Sequence, residues 1–168
     1  MLILVKSHYV NKCDALSVEG EGKAMFKRIL IAVDGSEPSK NALLVACDLA
    51  KKYESDLHLV HSPQVETTTL VAGSAVVEIK PSEEDILEAG KGVISAAKAT
   101  ASENGCDGLD FTIGNSDPAK DILECIDDVG ADLVVMGRRG LGGLGSLFLG
   151  SVSQKVIHGA GCSCLTVT

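Results

Sequence analysis

The residues of this chain best suited to chemistry lie in one segment, Gly137-Arg-Arg-Gly140-Leu-Gly-Gly-Leu-Gly-Ser-Leu-Phe-Leu-Gly150-Ser151-Val-Ser153. Glycines allow close backbone approach, and a helix N-terminus presents free N–H groups carrying partial positive charge. Together they suit an anion such as a phosphate. The charge pattern agrees. After Asp132 the chain carries Arg138, Arg139 and Lys155 and no Asp or Glu, a formal charge of +3. The first 132 residues hold all 23 acids against 12 bases, a formal charge of −11. An acidic chain has cleared negative charge from the stretch that holds its glycine-rich segment.

The elements that must position this segment read as alternating strands and helices. Arg28 to Val33 is a continuous apolar run of the kind buried on both faces of a sheet. Asp34-Gly35-Ser36-Glu37-Pro38-Ser39 is a turn into a helix, with Ser36 as N-cap and Pro38 in the first turn. Apolar positions 42, 43, 46, 49, 50 and 53 follow at helical spacing. Leu57 to His61 is a second strand, and residues 62–81, lacking a clear period, read as a long connecting loop. A helix is expected from Ser82 to about Asn104, its acidic start matching the helix dipole and Gly105 closing it. Leu109 to Ile113 is a strand, and Asp117 caps a helix with Pro118 first and Ile122, Leu123, Ile126 and Val129 as its stripe. Ala131 to Met136 is a buried strand. Gly150 opens a last helix with Val152, Val156 and Ile157 inward, and Ser163 to Thr168 is a final strand. This alternation predicts an α/β fold, a single-domain doubly wound five-stranded parallel sheet with helices on both faces. Ligands of such sheets bind beyond the carboxyl ends of the strands. Val33-Asp34-Gly35 and the stretch from Gly137 fit that place.

Composition narrows the function. A length of 168 residues, 45% hydrophobic and 23% charged, fits one globular domain. A net charge of −8, with no Trp, three Phe and two Tyr, argues against nucleic acid as partner. No apolar run has membrane-spanning length, and Met1 to Val5 is too short for a signal-peptide core. Residues 1–24 stand apart from a domain over 25–168, as a flexible tail, an upstream start or an extra edge strand. The cysteines form no C-x-x-C pair. Cys47 and Cys125 read as reduced core residues of a cytosolic protein. Cys162 and Cys164 share one strand face without completing a metal set. His58 and His61 read as structural or surface residues.

Three phosphate motifs compete. Gly140-x-Gly142-x-x-Gly145 spells a dinucleotide fingerprint but lies near the end of the fold with no acid following. Gly145-x4-Gly150-Ser151 lacks the lysine of a P-loop. The third is Gly137-x2-Gly140-x9-Gly150-Ser151. With Ile29-Leu-Ile-Ala-Val-Asp34-Gly-Ser36, Leu57-His-Leu-Val60-His and Asp132-Leu-Val-Val-Met-Gly137, it makes residues 25–168 resemble the universal stress protein family, in its ATP-binding type.

The resemblance implies an adenine-nucleotide α-hydrolase-like fold and a set of ligand contacts. Asp34 corresponds to the acid near the adenosine, Ala32 and Val33 line that pocket, and the Val60 backbone reads the adenine edge. Met136 and Gly137 lie beside the ribose. Gly140 turns the loop around the phosphates, Arg139 adds charge, and Gly150, Ser151, Val152 and Ser153 offer N–H and hydroxyl groups. Gly142, Gly143 and Gly145 loosen the loop relative to the family pattern, and Ser163 replaces a common proline. Simpler readings stand beside these. Ser151-x-x-Gln154 is also a capping box, Asp34 a turn acid, and Arg138 and Arg139 solvated surface.

The implied protein is a cytoplasmic homodimer joined through its last strand. It binds ATP, alone or with Mg2+, and acts on an unidentified protein partner as a regulatory or protective module in stress response. The alternatives are a nucleotide-independent interaction module, or a slow ATPase or phosphotransferase with no catalytic residue identified. Neither nucleic acid nor membrane is an expected partner, and no metal-ligating residue is assigned.

Overall fold

The computed structural model describes residues 25–64, 68–72, 75–79, 81–141 and 149–168. The expectations placed on residues 1–24 and on Gly142, Gly143 and Gly145 lie outside them. Among the described residues, five strands form a parallel sheet: β1 (Arg28–Ala32), β2 (Asp56–His61), β5 (Asp110–Ile113), β6 (Leu133–Gly137) and β7 (Ser163–Val167). Their order in space is β5-β2-β1-β6-β7, so the chain reverses its direction of travel between β1 and β6. The register sets Ala32 beside both Val60 and Met136 at the carboxyl end of the sheet.

Helices cover both faces. On one, α1 (Glu37–Tyr53) and α2 (Glu83–Glu103) pack Leu43, Ala46, Cys47, Ile94 and Ala97 against Ile29, Ile31, Leu59 and Val135. On the other, α3 (Pro118–Val129) and α4 (Ser151–Gly159) pack Ile122, Cys125, Ile126 and Val156 against Leu30, Val60 and Val134. Alternate side chains of each strand enter opposite cores, as a strand buried on both faces requires. Aliphatic side chains build both clusters, as the shortage of aromatics demands.

Two expectations are corrected. The segment 62–81 is more than a connecting loop, because β3 (Thr68–Ala72) and β4 (Ala75–Ile79) pair antiparallel, apart from the main sheet. The signal was composition rather than period. Thr-Thr-Leu-Val-Ala and Ala-Val-Val-Glu-Ile are rich in β-branched residues and separated by Gly73-Ser74, a hairpin spacing. Second, Ile157 points outward, 40% exposed, whereas Val156 is fully buried and Val152 partly so. α4 spans nine residues, so its apolar stripe is narrow.

A buried polar network steadies the carboxyl ends of β2 and β5. Asp121, fully buried on α3, accepts hydrogen bonds from Ser62 Oγ at 2.6 Å, Ser116 Oγ at 2.5 Å and the Ser116 N–H at 3.1 Å. Gly114 lies so close that a Cβ there would overlap the Asp121 carboxylate. Gly114→Ala should therefore cost about 1–3 kcal/mol by overpacking. Gly92→Ala, where a Cβ meets nothing within 4 Å, should stabilise α2 by about 0.5–1 kcal/mol. Urea denaturation of both variants checks this, and equal midpoints would contradict the packing argument.

Candidate functional site

The site is built where β1 and β6 end side by side. The chain leaves β1 through Val33 and Asp34, turns at Gly35 with φ +82°, and enters α1. Asp34 Oδ1 accepts the Ser36 N–H at 3.0 Å and the Ser36 hydroxyl at 2.6 Å. The Ser36 hydroxyl oxygen in turn accepts the Ser39 N–H as the α1 cap. Asp34 is thus a turn acid, and it also faces the second segment, because a Cβ on Gly140 would run into its Oδ2.

That second segment leaves β6 at Gly137. A Cβ there would stand 2.9 Å from the Ser39 nitrogen and 3.0 Å from the Pro38 carbonyl carbon, so only glycine lets β6 pass the start of α1. The segment's far end is tied back to its beginning. The Gly150 N–H donates to the Arg138 carbonyl at 2.9 Å, and the buried Ser153 hydroxyl donates to the Gly137 carbonyl at 3.0 Å. The Arg138 N–H donates to the Val167 carbonyl at 2.6 Å, fixing the turn against β7. Gly140 therefore lies against Asp34, and Gly150 and Ser153 are tied to the turn that begins at Gly137.

The start of α4 differs from the other helix starts. Among the described helices, α1, α2 and α3 have side-chain caps from Ser36, Ser82 and Asp117. The α4 cap is Gly150, which makes no side-chain cap bond. The capping-box reading of Ser151-x-x-Gln154 is corrected, because Ser151 is already the first helical residue and the Gln154 N–H bonds to the Gly150 carbonyl. The first-turn N–H groups, at Ser151, Val152 and Ser153, have no intrahelical acceptor. Ser151 is exposed and Val152 half-buried.

The remaining predicted residues divide by face. Ala32, Val60 and Met136 belong to the α3/α4 core, whereas the Val33 side chain packs into the α1/α2 core and offers the site only its backbone. Even that is engaged, for the Val33 N–H donates to the Val60 carbonyl at 2.9 Å and the Val33 carbonyl faces His61 Nδ1 at 2.7 Å. Val60 is accordingly a paired strand residue whose carbonyl keeps one lone pair. Arg139 is half-buried beside Gly140.

Sequence reasoning missed what His61 contributes. It is buried at the end of β2, and a carbonyl partner requires the tautomer with a proton on Nδ1. Burial pushes its pKa below the usual histidine value, against the opposing pulls of the Val33 carbonyl and the Asp34 charge. The Asp121 network with Ser62 and Ser116 was also missed; no pattern in the sequence marks that acid as buried. Among the described residues, no group of three or more His, Cys, Asp or Glu is arranged to hold a metal ion. Nor is any described helix long and apolar enough to cross a membrane.

The sequence model of the universal stress protein family matches residues 25–168. A universal stress protein of Bacillus subtilis, YxiE, is 34% identical over 148 residues, covering 85% of this chain and 99% of that relative. Among solved structures, the universal stress protein from Archaeoglobus fulgidus in complex with dAMP is similar at a TM-score of 0.60 and 24% identity, over 84% of this chain and 98% of that one. A universal stress protein family protein from Arabidopsis thaliana with AMP bound is similar at a TM-score of 0.56 and 22% identity, over 84% and 90% of the two chains. The two structures share this fold.

Burial lowers the pKa of both His58 and His61, so each is neutral in the fold while the unfolded chain takes up protons near pH 6.5. The unfolded state then binds more protons, and stability falls as pH drops through and below 6.5. His61→Gln keeps a donor for the Val33 carbonyl but does not titrate, so it should flatten this loss between pH 7 and 5. Denaturation midpoints across that range check it, and an unchanged acid slope in the variant would contradict the assignment.

Proposed function

This chain belongs to the universal stress protein family, and on that premise we propose that it binds an adenine nucleotide, ATP, at the β1–β6 switch point and acts as a nucleotide-dependent regulatory module in stress response. The observation that carries this reading is the start of α4. Its N–H groups have no side-chain cap, and backbone bonds draw it onto the Gly137–Gly140 turn opposite Asp34. A phosphate chain supplies the acceptors this helix start lacks. The nucleotides named with the Archaeoglobus and Arabidopsis structures, dAMP and AMP, support the adenine part.

The residues present fit such a ligand. Gly140 and Gly150 let the backbone pass where a side-chain carbon would crowd Asp34 Oδ2 at the first position and the Arg138 carbonyl and Arg139 Cα, both at 3.3 Å, at the second. In this reading Ser151, Val152 and Ser153 hold phosphate oxygens through their N–H groups, and Ser151 adds a free-facing hydroxyl. Ser153 keeps its hydroxyl on the Gly137 carbonyl and so fixes the helix start. Ala32, Val60 and Met136 form the apolar wall for the adenosine, with Gly137 at the ribose. Asp34, held by Ser36, presents its second carboxylate oxygen toward the ligand. Arg139 adds positive charge near the phosphates, and Mg2+ accompanies the nucleotide as its counterion. Binding brings the phosphate charge to the Gly137–Gly140 turn and the start of α4, changing the surface offered to a protein partner. The chain acts in the cytoplasm in this reading. It pairs with a second copy through β7, a half-buried edge strand of the sheet.

Gly140→Val and Gly150→Val should each weaken ATP binding at least tenfold, about 1.4 kcal/mol, while the far-ultraviolet circular dichroism stays native. Titration calorimetry measures the affinity, and light scattering on the same samples should give twice the chain mass. Unchanged ATP affinity in both variants would refute the site.

A further inference from the structure

At the opposite end of the sheet, the first residues of β1, β2 and β5 open onto a cleft of about 820 Å³, lined by Arg28, Lys51, Asp56, Cys106 and Asp110 among others. None of its lining residues belongs to the nucleotide site. Cys106 sits in the turn from α2 to β5, between Gly105 at φ +69° and Gly108 at φ +70°. Its Sγ lies 3.7 Å from the carbonyl oxygen of Cys47, 59 residues earlier on the inner face of α1. The Cys106 side chain packs against the core cluster that holds Cys47. Cys106 is half-buried on the cleft wall, Cys47 is 2% exposed behind it, and both are free.

The geometry points to a modification site that the nucleotide reading does not use: a reversible disulfide between Cys47 and Cys106, formed in response to hydrogen peroxide. Exposure sets the order of steps. The Cys106 thiolate attacks a peroxide oxygen, an S–O bond forms as the O–O bond breaks, and the released hydroxide takes up the thiol's proton as water. Cys106 is then a sulfenic acid. The Cys47 sulfur attacks that sulfur, the S–S bond forms, the S–O bond breaks, and the leaving oxygen departs with the Cys47 proton as a second water. Two thiols and one hydrogen peroxide give one disulfide and two waters.

The surroundings serve this sequence. Lys51 brings a positive charge, its Nζ lying 3.3 Å from where a Gly105 side chain would begin, next to Cys106. Burial and the neighbouring Cys106 push the Cys47 thiol up to about 12, and the Lys51 charge pulls the other way. Among the other described cysteines, Cys164 Sγ also lies 3.7 Å from the Cys162 carbonyl, but that pair is two residues apart at the start of β7 and away from the cleft. Cys125 is fully buried, and Cys162 and Cys164 lie on the far edge of the sheet, against the α3/α4 core.

The test treats the full chain with hydrogen peroxide, blocks free thiols with N-ethylmaleimide, and maps unreduced peptides by mass spectrometry. A linked Cys47–Cys106 peptide should appear, vanish with dithiothreitol, and be missing from Cys106→Ser. In Cys47→Ala, Cys106 should stop as a sulfenic acid that dimedone traps. Oxidation at Cys162 or Cys164 while Cys47 and Cys106 remain alkylated would overturn the proposal. So would Cys106 in the unmodified chain passing to sulfinic acid without any link.

Discussion

Two backbone turns meet at Gly137, where β6 passes the first turn of α1 so closely that a side-chain carbon would stand 2.9 Å from the Ser39 nitrogen. Much else follows from that approach. It brings the chain leaving β6 beside the chain leaving β1, so Gly140 lies against the Asp34 carboxylate. It leaves the Gly137 carbonyl to accept the Ser153 hydroxyl, and the Arg138 carbonyl to accept the Gly150 N–H. The start of α4 is thereby fixed opposite Asp34. A larger residue at 137 would push these parts away from one another, and the arrangement of the site would go with them.

How much of this was legible in the sequence depends on whether a feature is local. Ser36, Ser82 and Asp117 act through their own backbone neighbours, so their caps can be read from residue type and spacing alone. The buried runs of β1 and β6 need only a continuous apolar stretch, and the alternation of elements implies a parallel, doubly wound sheet, while the strand order came from the structure. The β3–β4 hairpin escaped because its strands lack a polar-apolar alternation and only their β-branched content marks them. Ile157 was placed inward because a single apolar residue does not fix the phase of a nine-residue helix. The burial of Asp121, the bond from His61 to the Val33 carbonyl and the meeting of Cys47 with Cys106 each join residues far apart in sequence. No local pattern announces a contact of that kind. The glycines of the site were legible as a set, and the structure adds the reason for each that it describes.

The two ends of the sheet carry different chemistry. At the carboxyl end the chain has removed its acids after Asp132, leaving Arg138 and Arg139 beside a helix start with no side-chain cap. Asp34 is the acid that faces the Gly140 turn, and one of its oxygens is held by Ser36. At the amino end, charges of both signs line the cleft around a pair of thiols. An anionic ligand is favoured at the first end by backbone dipoles and side-chain charge acting together. The same ligand at the second end would face Asp56 and Asp110. The fold thus separates the proposed nucleotide end from the end that bears Cys47 and Cys106.

An adenine nucleotide held at the β1–β6 switch point should stay with the protein through purification. The most direct measurement denatures the freshly purified protein and resolves the supernatant by ion-exchange chromatography. ATP released in near-equal amount to the chain is the predicted result. A supernatant with no adenine nucleotide, together with no thermal shift when ATP is added back, would contradict it.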